Sequence, residues 1–394
     1  MHFIQNKNGM VVFAIGYTCG AINETVENAG ISHMLEHMMF KSNSSSKSMK
    51  IWKDATSIGA SMNARTSSDY TIYFVAVSSE YWEMALSIIK TITSALDLSE
   101  KEFHIEKKVV IEEWGLDSNT AFDRMMTAMY LGTPYASSVI GTHKTLTSIS
   151  YADIISHHQK FYTSPFVCIS CSLAIKPHIQ RSIGEFAIKK QSSMPMFDLN
   201  NRCVKDPKAR VVAKALKNEN EKINLCFLGF PRYDIRSDVA TLIAFILRHT
   251  LFELLREKHG MVYGVKVRHI ASLFVGHIYI ECETRFSNSA EISMLIFNEI
   301  ANLEKLTQGD LRKYEKKMAR SRKLWIKTNT VEHTIWNLKN DMFGRNKEQT
   351  HKKNINLEVF RDTIKTMFDQ CRLGYFIKAH NVTKHRILYK NIGI

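Results

Sequence analysis

Between about Lys189 and Arg210 the chain loses its regular patterning, and this constrains the fold more than any other feature. The stretch Gln191-Ser192-Ser193-Met194-Pro195 through Asp206-Pro207-Lys208 holds two of the six prolines and reads as a linker. It cuts the 394 residues into halves of nearly equal size, and a chain this long exceeds what one core ordinarily holds. The expected domains are therefore 1–188 and 211–394, joined by a linker over 189–210. Each half mixes strand and helix patterns. Strand candidates are Met10–Tyr17, Thr71–Val77 and Phe166–Ile175 in the first, and Lys222–Phe230, Val262–Ile270 and Gly276–Glu283 in the second. Amphipathic helices separate them. Ser42–Ser48 reads as a polar connector. One faint echo links the halves. Leu98-Ser99-x-x-Glu102-Phe103 and Leu306-Thr307-x-x-Asp310-Leu311 each pair an N-cap hydroxyl with an acid three residues on, followed by an apolar residue.

Composition narrows the function classes. Hydrophobic residues make up 45% and charged residues 23%, which is a globular balance. No run approaches the roughly 18 apolar residues of a membrane span. The start, Met1-His2-Phe3-Ile4-Gln5-Asn6, has neither the basic-then-apolar pattern of a secretory signal nor an Arg-rich transit pattern, so a cytoplasmic location is expected. The net charge of +15 favours acidic partners in general. Its densest run, Arg312 to Lys323, is interrupted by Glu315 and carries no aromatic array, so it reads as a solvated helix face rather than a nucleic-acid site. Seven cysteines, an odd number, argue against a disulfide framework. Cys168-Ile169-Ser170-Cys171 lies in a strand pattern, where positions three apart face opposite ways, so the pair reads as core thiols.

The chemistry gathers around His33-Met34-Leu35-Glu36-His37. Gly30-Ile31-Ser32 gives a helix start, and on a helix residues four apart share a face, so both imidazoles can point at one place. Those are two of the three protein ligands of a catalytic zinc, whose fourth position is left for water. Glu36 is placed to reach that water as a general base. With 16 His and 38 acids in 394 residues, chance supplies about 0.06 matches to H-x-x-[DE]-H. The alternative is two hydrogen-bonded histidines beside a surface glutamate. A third ligand must come from elsewhere. On the helix pattern Ser99–Trp114, Glu106, Val109, Val110 and Glu113 share a face. Two acids on such a stripe are costly to bury without a cation; the alternative is that both are exposed and pair with lysines. Glu112 points elsewhere. No second cluster of ligand types is apparent, so one zinc per chain is expected.

At this point the sequence resembles the inverzincin (H-x-x-E-H) zinc metallopeptidases, the family of pitrilysin, insulin-degrading enzyme and mitochondrial processing peptidase. In that family a glutamate ligand follows the second histidine by about 75 residues, and here 76 separate His37 from Glu113. Glu106 matches the family's assisting glutamate seven residues earlier. Gly59-Ala60-x-x-Asn63-Ala64-x-Thr66 with Tyr73 resembles its substrate-binding edge strand. Thr133-Pro134-Tyr135 and Ile140-Gly141-Thr142 resemble its H-P-Y and I-G-T segments. Leu228-Gly229-Phe230-Pro231 and Leu255-Arg256-Glu257-Lys258-x-Gly260-x-x-Tyr263 resemble its C-terminal signatures.

The resemblance implies an α+β fold of clam-shell type, with two related half-units, each a mainly antiparallel sheet packed with helices. It implies a zinc endopeptidase acting on extended peptides or unfolded segments. His33, His37 and Glu113 would bind zinc, Glu36 would be the base and Glu106 would support the site. Asn63 and Ala64 would hold the substrate as an added strand. Arg256 and Tyr263 would bind the substrate carbonyl, a cation and a phenol being suited to developing negative charge. Taken alone, Arg256 reads as a helix C-terminal cation and Tyr263 as a strand aromatic. A homodimer is expected, since long relatives carry four half-units and this chain two; a heterodimer with a related chain is the alternative. The competing readings are a catalytically silent or partner-dependent subunit of the same family and, from charge alone, a nucleic-acid-binding protein. Two departures stand out. The short N-terminus implies an altered edge of the first sheet. Ile246-Leu247-Arg248-His249-Thr250-Leu251 also stands where relatives carry a Gly- and Ser-rich stretch, before the helix with Arg256.

Overall fold

The computed structural model describes residues 1–41, 44–117, 121–183, 210–214, 220–285, 288–343, 355–369, 373–383 and 385. The chain forms two compact units. The first comprises Met1–Ser118, Ser137–Phe197 and Leu324–Asn346; the second comprises Asn119–Ala136, Asp198–Lys323 and Lys347–Ile394. The division is therefore not one cut, because each unit takes a segment from the other half of the sequence. The expected linker at 189–210 lies outside the described residues apart from Arg210, which opens a strand.

The first unit holds β1 (His2–Gln5), β2 (Met10–Tyr17), β3 (Ser61–Thr66), β4 (Thr71–Ser78) and β5 (Phe166–Cys171), in the order β1-β5-β2-β4-β3. The second holds β6 (Arg210–Lys214), β7 (Glu221–Leu228), β8 (Val265–Ala271), β9 (Gly276–Thr284) and β10 (Leu373–Ala379), in the order β6-β10-β7-β9-β8. Renumbered from its own first strand, the second order is the first. In each sheet the first and last strands pair in parallel and every other pairing is antiparallel. The two units are thus repeats of one topology. The capping echo falls at equivalent places, between the fourth and fifth strand of each sheet. Ser99 and Thr307 bond Glu102 and Asp310 with matching geometry, hydroxyl to carboxylate at 2.7 Å in both.

The β2 strand reads as a continuous apolar run because both its faces are covered. On one face Val11, Phe13 and Ile15 pack with Met34, Leu35, Met38 and Met39 of helix Ile31–Lys41. Burying each such side chain contributes about 1.5–3 kcal/mol. The other face is covered by helix Thr330–Met342, which lies on β2 and β5. Gly16 permits that approach, since a Cβ there would meet Met342 Sδ at 2.6 Å. In the second unit helix Ala121–Met129 packs on β7 and β10 in the corresponding way. No helix among the described residues is long and apolar enough to cross a membrane.

Several expectations change. The N-terminus is long enough to supply β1, which pairs with β5, so the first sheet has its edge strand. The supposed serine connector instead contributes to helix Ser44–Ser57. The β5 strand ends at Cys171 and β8 starts at Val265, each shorter than its apolar run. Cys168 and Cys171 are buried, neither is disulfide-bonded, and only Cys171 joins the cluster beneath the histidine helix.

Candidate metal centre

Helix Ile31–Lys41 starts where it does because Glu24 reaches its first turn. The Glu24 carboxylate accepts from the Gly30 N–H at 2.7 Å and from the Ser32 N–H at 2.9 Å, satisfying donors that a helix N-terminus leaves open. Gly141 packs against the same turn. It has φ +71, and a Cβ on it would meet the Ala29 carbonyl oxygen at 2.4 Å. Thr145 adds a hydroxyl bond to that carbonyl at 2.7 Å. The Ile140-Gly141-Thr142 segment therefore serves to seat the histidine helix.

His33 and His37 project from one face of the helix with ring centroids 4.8 Å apart. Helix Glu100–Asp117 crosses beside them and brings Glu113. Its carboxylate oxygens lie 3.8 Å from His33 Nε2 and 3.1 Å from His37 Nε2. Each residue offers one donor atom within 4.8 Å of the others. A tetrahedral zinc with bonds of about 2.0–2.1 Å to nitrogen and oxygen sets its ligands about 3.3 Å apart. Two imidazoles and a carboxylate at these separations fit that ion. His33 is buried, and burial, reinforced by neighbouring His37, holds its pKa down to about 4, so it presents a neutral nitrogen. On His37 burial opposes the charged form, but Glu106, Glu113 and Glu36 outweigh it and raise the pKa, which marks a place prepared for positive charge.

The flanking residues orient these groups. His37 Nδ1 lies 3.1 Å from Glu106 Oε1, and Lys41 Nζ lies 3.2 Å from Glu106 Oε2. Burial pushes the Glu106 carboxyl up, yet His37 and Lys41 bring it below its ordinary value, so it stays ionised. Glu36 is 8% exposed and accepts a short hydrogen bond from the Thr66 hydroxyl. Burial pushes its pKa up, against the lowering pull of the Thr66 bond. Sequence reasoning missed Thr66 in this role, as well as Lys41 and Glu24. Only Lys41, one turn beyond His37, left a trace in the spacing. The expectation of a buried acidic stripe needs correction: Glu106 and Val110 are buried, but Val109 is 47% exposed and the Glu113 side chain is 37% exposed. Glu112 is exposed.

Asn63 and Ala64 lie on β3, the edge strand of this sheet, with Asn63 exposed and Ala64 buried. The Ala64 N–H donates to Asn63 Oδ1 at 2.8 Å. Arg256 and Tyr263 belong to the second unit. Helix Arg236–Phe252 runs without interruption through Ile246–Leu251 and widens into a π-helical turn at Glu253–Lys258 that carries Arg256. The guanidinium carbon stands 5.1 Å from the ring centre of Tyr263, and Tyr263 is 88% exposed. The expectation of a single ligand cluster also needs correction. Among the described residues His2, Cys168 and Asp341 form a second group, with donor atoms within 4.8 Å of one another.

Comparison with known proteins identifies the family. The family described as "Insulinase (Peptidase family M16)" matches residues 4–143, and that described as "Peptidase M16 inactive domain" matches 148–318. An uncharacterized zinc protease of Bacillus subtilis, YmxG, is 25% identical over 325 residues, covering 78% of this chain and 77% of that protein. The zinc protease PqqE of Helicobacter pylori is 32% identical over 164 residues, 40% of this chain and 37% of that one. The crystal structure of a protease from Helicobacter pylori superposes with a TM-score of 0.80 at 19% identity, covering 95% of this chain and 96% of that one. The shared fold, the repeated topology and the two consecutive family matches place the chain in the insulinase (M16) family of peptidases, which includes the pitrilysin type.

Proposed function

We propose that the chain is a zinc metalloendopeptidase that hydrolyses peptides or unfolded segments held in extended form. The observation that carries this reading is the convergence of His33 Nε2, His37 Nε2 and Glu113 beside the buried carboxyl of Glu36. His33, His37 and Glu113 are the zinc ligands, one ion serving the peptidase centre. Bound there, zinc would polarise the scissile carbonyl and make water more acidic. Glu36 takes the proton from the attacking water and returns it to the leaving amine. Thr66 holds the Glu36 carboxylate in place. Glu106 acts through His37, fixing the tautomer that directs Nε2 toward the centre. Substrate pairs as an extra strand along β3 at Asn63 and Ala64, which requires the Asn63 side chain to release the Ala64 N–H. Arg256 and Tyr263 bind the substrate carbonyl and the developing oxyanion. Both are exposed and so open to another chain, and the working unit is a homodimer that pairs them with its partner's zinc site.

The test is cleavage of a quenched peptide library by the purified chain. Turnover that is abolished by a chelator and restored by zinc supports the reading. Absence of turnover by a zinc-loaded chain overturns it in favour of a silent or partner-dependent subunit.

A further inference from the structure

The second ligand group lies on the face of the first sheet opposite the histidine helix. Cys168 sits midway along β5, directly across from His2 in the parallel β1–β5 register. Paired residues in a parallel ladder project to the same face, so imidazole and thiol stand side by side. Asp341 comes from helix Thr330–Met342, which covers that face. His2 Nδ1 and Asp341 Oδ2 are 2.8 Å apart, and each of the three residues offers a donor atom within 4.8 Å of the other two. Among the described residues the same spacing recurs only at His33, His37 and Glu113.

We propose that His2, Cys168 and Asp341 form a second Zn2+ site, separate from the peptidase centre, that ties β1 and β5 to helix Thr330–Met342. Thiolate, imidazole and carboxylate are the three donor types zinc takes. With Zn–S near 2.3 Å and Zn–N near 2.0 Å, a tetrahedral ion needs sulfur and nitrogen about 3.5 Å apart and nitrogen and oxygen about 3.3 Å apart. The group reaches this if the thiol closes by about 1.3 Å at most and the His2–Asp341 pair opens by about 0.5 Å, which are side-chain adjustments. Burial is graded across the group: Cys168 is fully buried and the Asp341 side chain is 38% exposed. That gradient leaves the fourth position to water on the Asp341 side. On binding, the Cys168 proton passes to solvent, the sulfur–metal bond forms without oxidation, and the two negative ligands balance the ion. The complete burial of Cys168 also separates this site from a Cys-His-Asp nucleophile, whose sulfur a substrate must reach.

The test uses the full chain carrying His33→Ala and His37→Ala, freed of metal and titrated with Co2+. One equivalent should bind with a thiolate-to-cobalt charge-transfer band in the near ultraviolet. Adding Cys168→Ser should remove the band. Adding His2→Gln or Asp341→Asn should weaken binding by about 100-fold, because loss even of an outer partner costs about 10–100-fold. In the otherwise unaltered chain, zinc content should fall from two per chain to one on Cys168→Ser. No thiolate band together with one zinc in the unaltered chain would overturn the site. So would a band that survives Cys168→Ser, or affinity unmoved by both His2→Gln and Asp341→Asn. Because the titration is done without the peptidase ligands, its failure leaves the peptidase reading untouched.

Discussion

Thr66 and Glu36 are joined by a short hydroxyl–carboxylate hydrogen bond, which links the end of the edge strand β3 to the helix that carries both histidines. The strand that would receive a peptide thereby also holds the group that would deprotonate water. Thr66→Val removes the donor while nearly keeping the volume, and Thr66→Ser retains it. Turnover should fall about tenfold in the valine variant, a fraction of what general-base catalysis is worth. KM should be unchanged, and Thr66→Ser should restore turnover. Steady-state kinetics on one quenched peptide decides; a serine variant as slow as the valine one would show that the hydroxyl is not what matters.

Glu36→Gln should keep zinc and lose about 10²–10⁴-fold in turnover, because an amide of similar size cannot accept the proton. Replacing His33 or His37 by Ala should remove the peptidase-centre metal itself. Metal analysis beside kinetics separates the two effects. Wild-type turnover by Glu36→Gln would remove Glu36 from the role of base.

Glu106 and Glu113 should differ in kind, although both are acids on one helix. Glu113→Gln replaces a proposed ligand oxygen and should strip most of the zinc from the peptidase centre, leaving any ion at the second site. Glu106→Gln leaves the ligands intact but loosens His37 and frees Lys41, so zinc affinity should fall about 10–100-fold while turnover falls as well. Competition with a zinc-binding dye gives both affinities; equal losses would mean that Glu106 does not act through His37.

In the second unit His277 is buried and bonded to the Tyr130 hydroxyl at 2.8 Å. Burial holds its pKa down to about 4, so the folded chain keeps it neutral while the unfolded chain protonates it near 6.5. A depressed folded pKa means that its share of stability is complete above pH 6.5 and is lost as pH falls toward 4. The full loss corresponds to roughly 3 kcal/mol. Urea unfolding at pH 7.5 and pH 4.5, with and without His277→Gln, should show a smaller decline in the variant. An identical decline would place the acid sensitivity elsewhere.

Legibility in the sequence tracked locality. The β2 strand was readable over its whole length because its apolar run is unbroken, and the His33–His37 pairing because four residues make one helical turn. The β3 strand, Ser61-Met62-Asn63-Ala64-Arg65-Thr66, has too little alternation to stand out and came only through the family resemblance. The β1 strand escaped because four residues at a terminus carry little pattern. Burial along Glu106–Glu113 was misjudged because helical spacing fixes which residues share a face but not how far the neighbouring element extends over it. Glu24 lies only six residues before Gly30, but the irregular segment between them has no periodicity to read. Thr66 on Glu36 and Asp341 beside His2 join residues that only the tertiary fold brings together, so no spacing rule could announce them. The exchange of helices between the units is of the same kind.

The proposed zinc ligands lie in the first unit and the Arg256–Tyr263 pair in the second, and the proposed homodimer has each chain's pair serve the zinc site of its partner. A mixing experiment tests this. A Glu36→Gln chain lacks a working base but keeps Arg256 and Tyr263. An Arg256→Ala, Tyr263→Phe chain keeps the base and loses the pair. Each should be nearly inactive alone. If the pair acts in trans, subunit exchange creates one complete site per hybrid, and activity should recover toward about a quarter of the unaltered value, since half the dimers are hybrids and each has one site of two. If each chain serves itself, no hybrid site is complete and mixing restores nothing. A heterodimer with a related chain predicts no recovery either, but there the purified chain would gain activity only when that partner is added. Full activity in a chain that stays monomeric under assay would end the dimer proposal, and absence of recovery despite demonstrated exchange would end the trans arrangement.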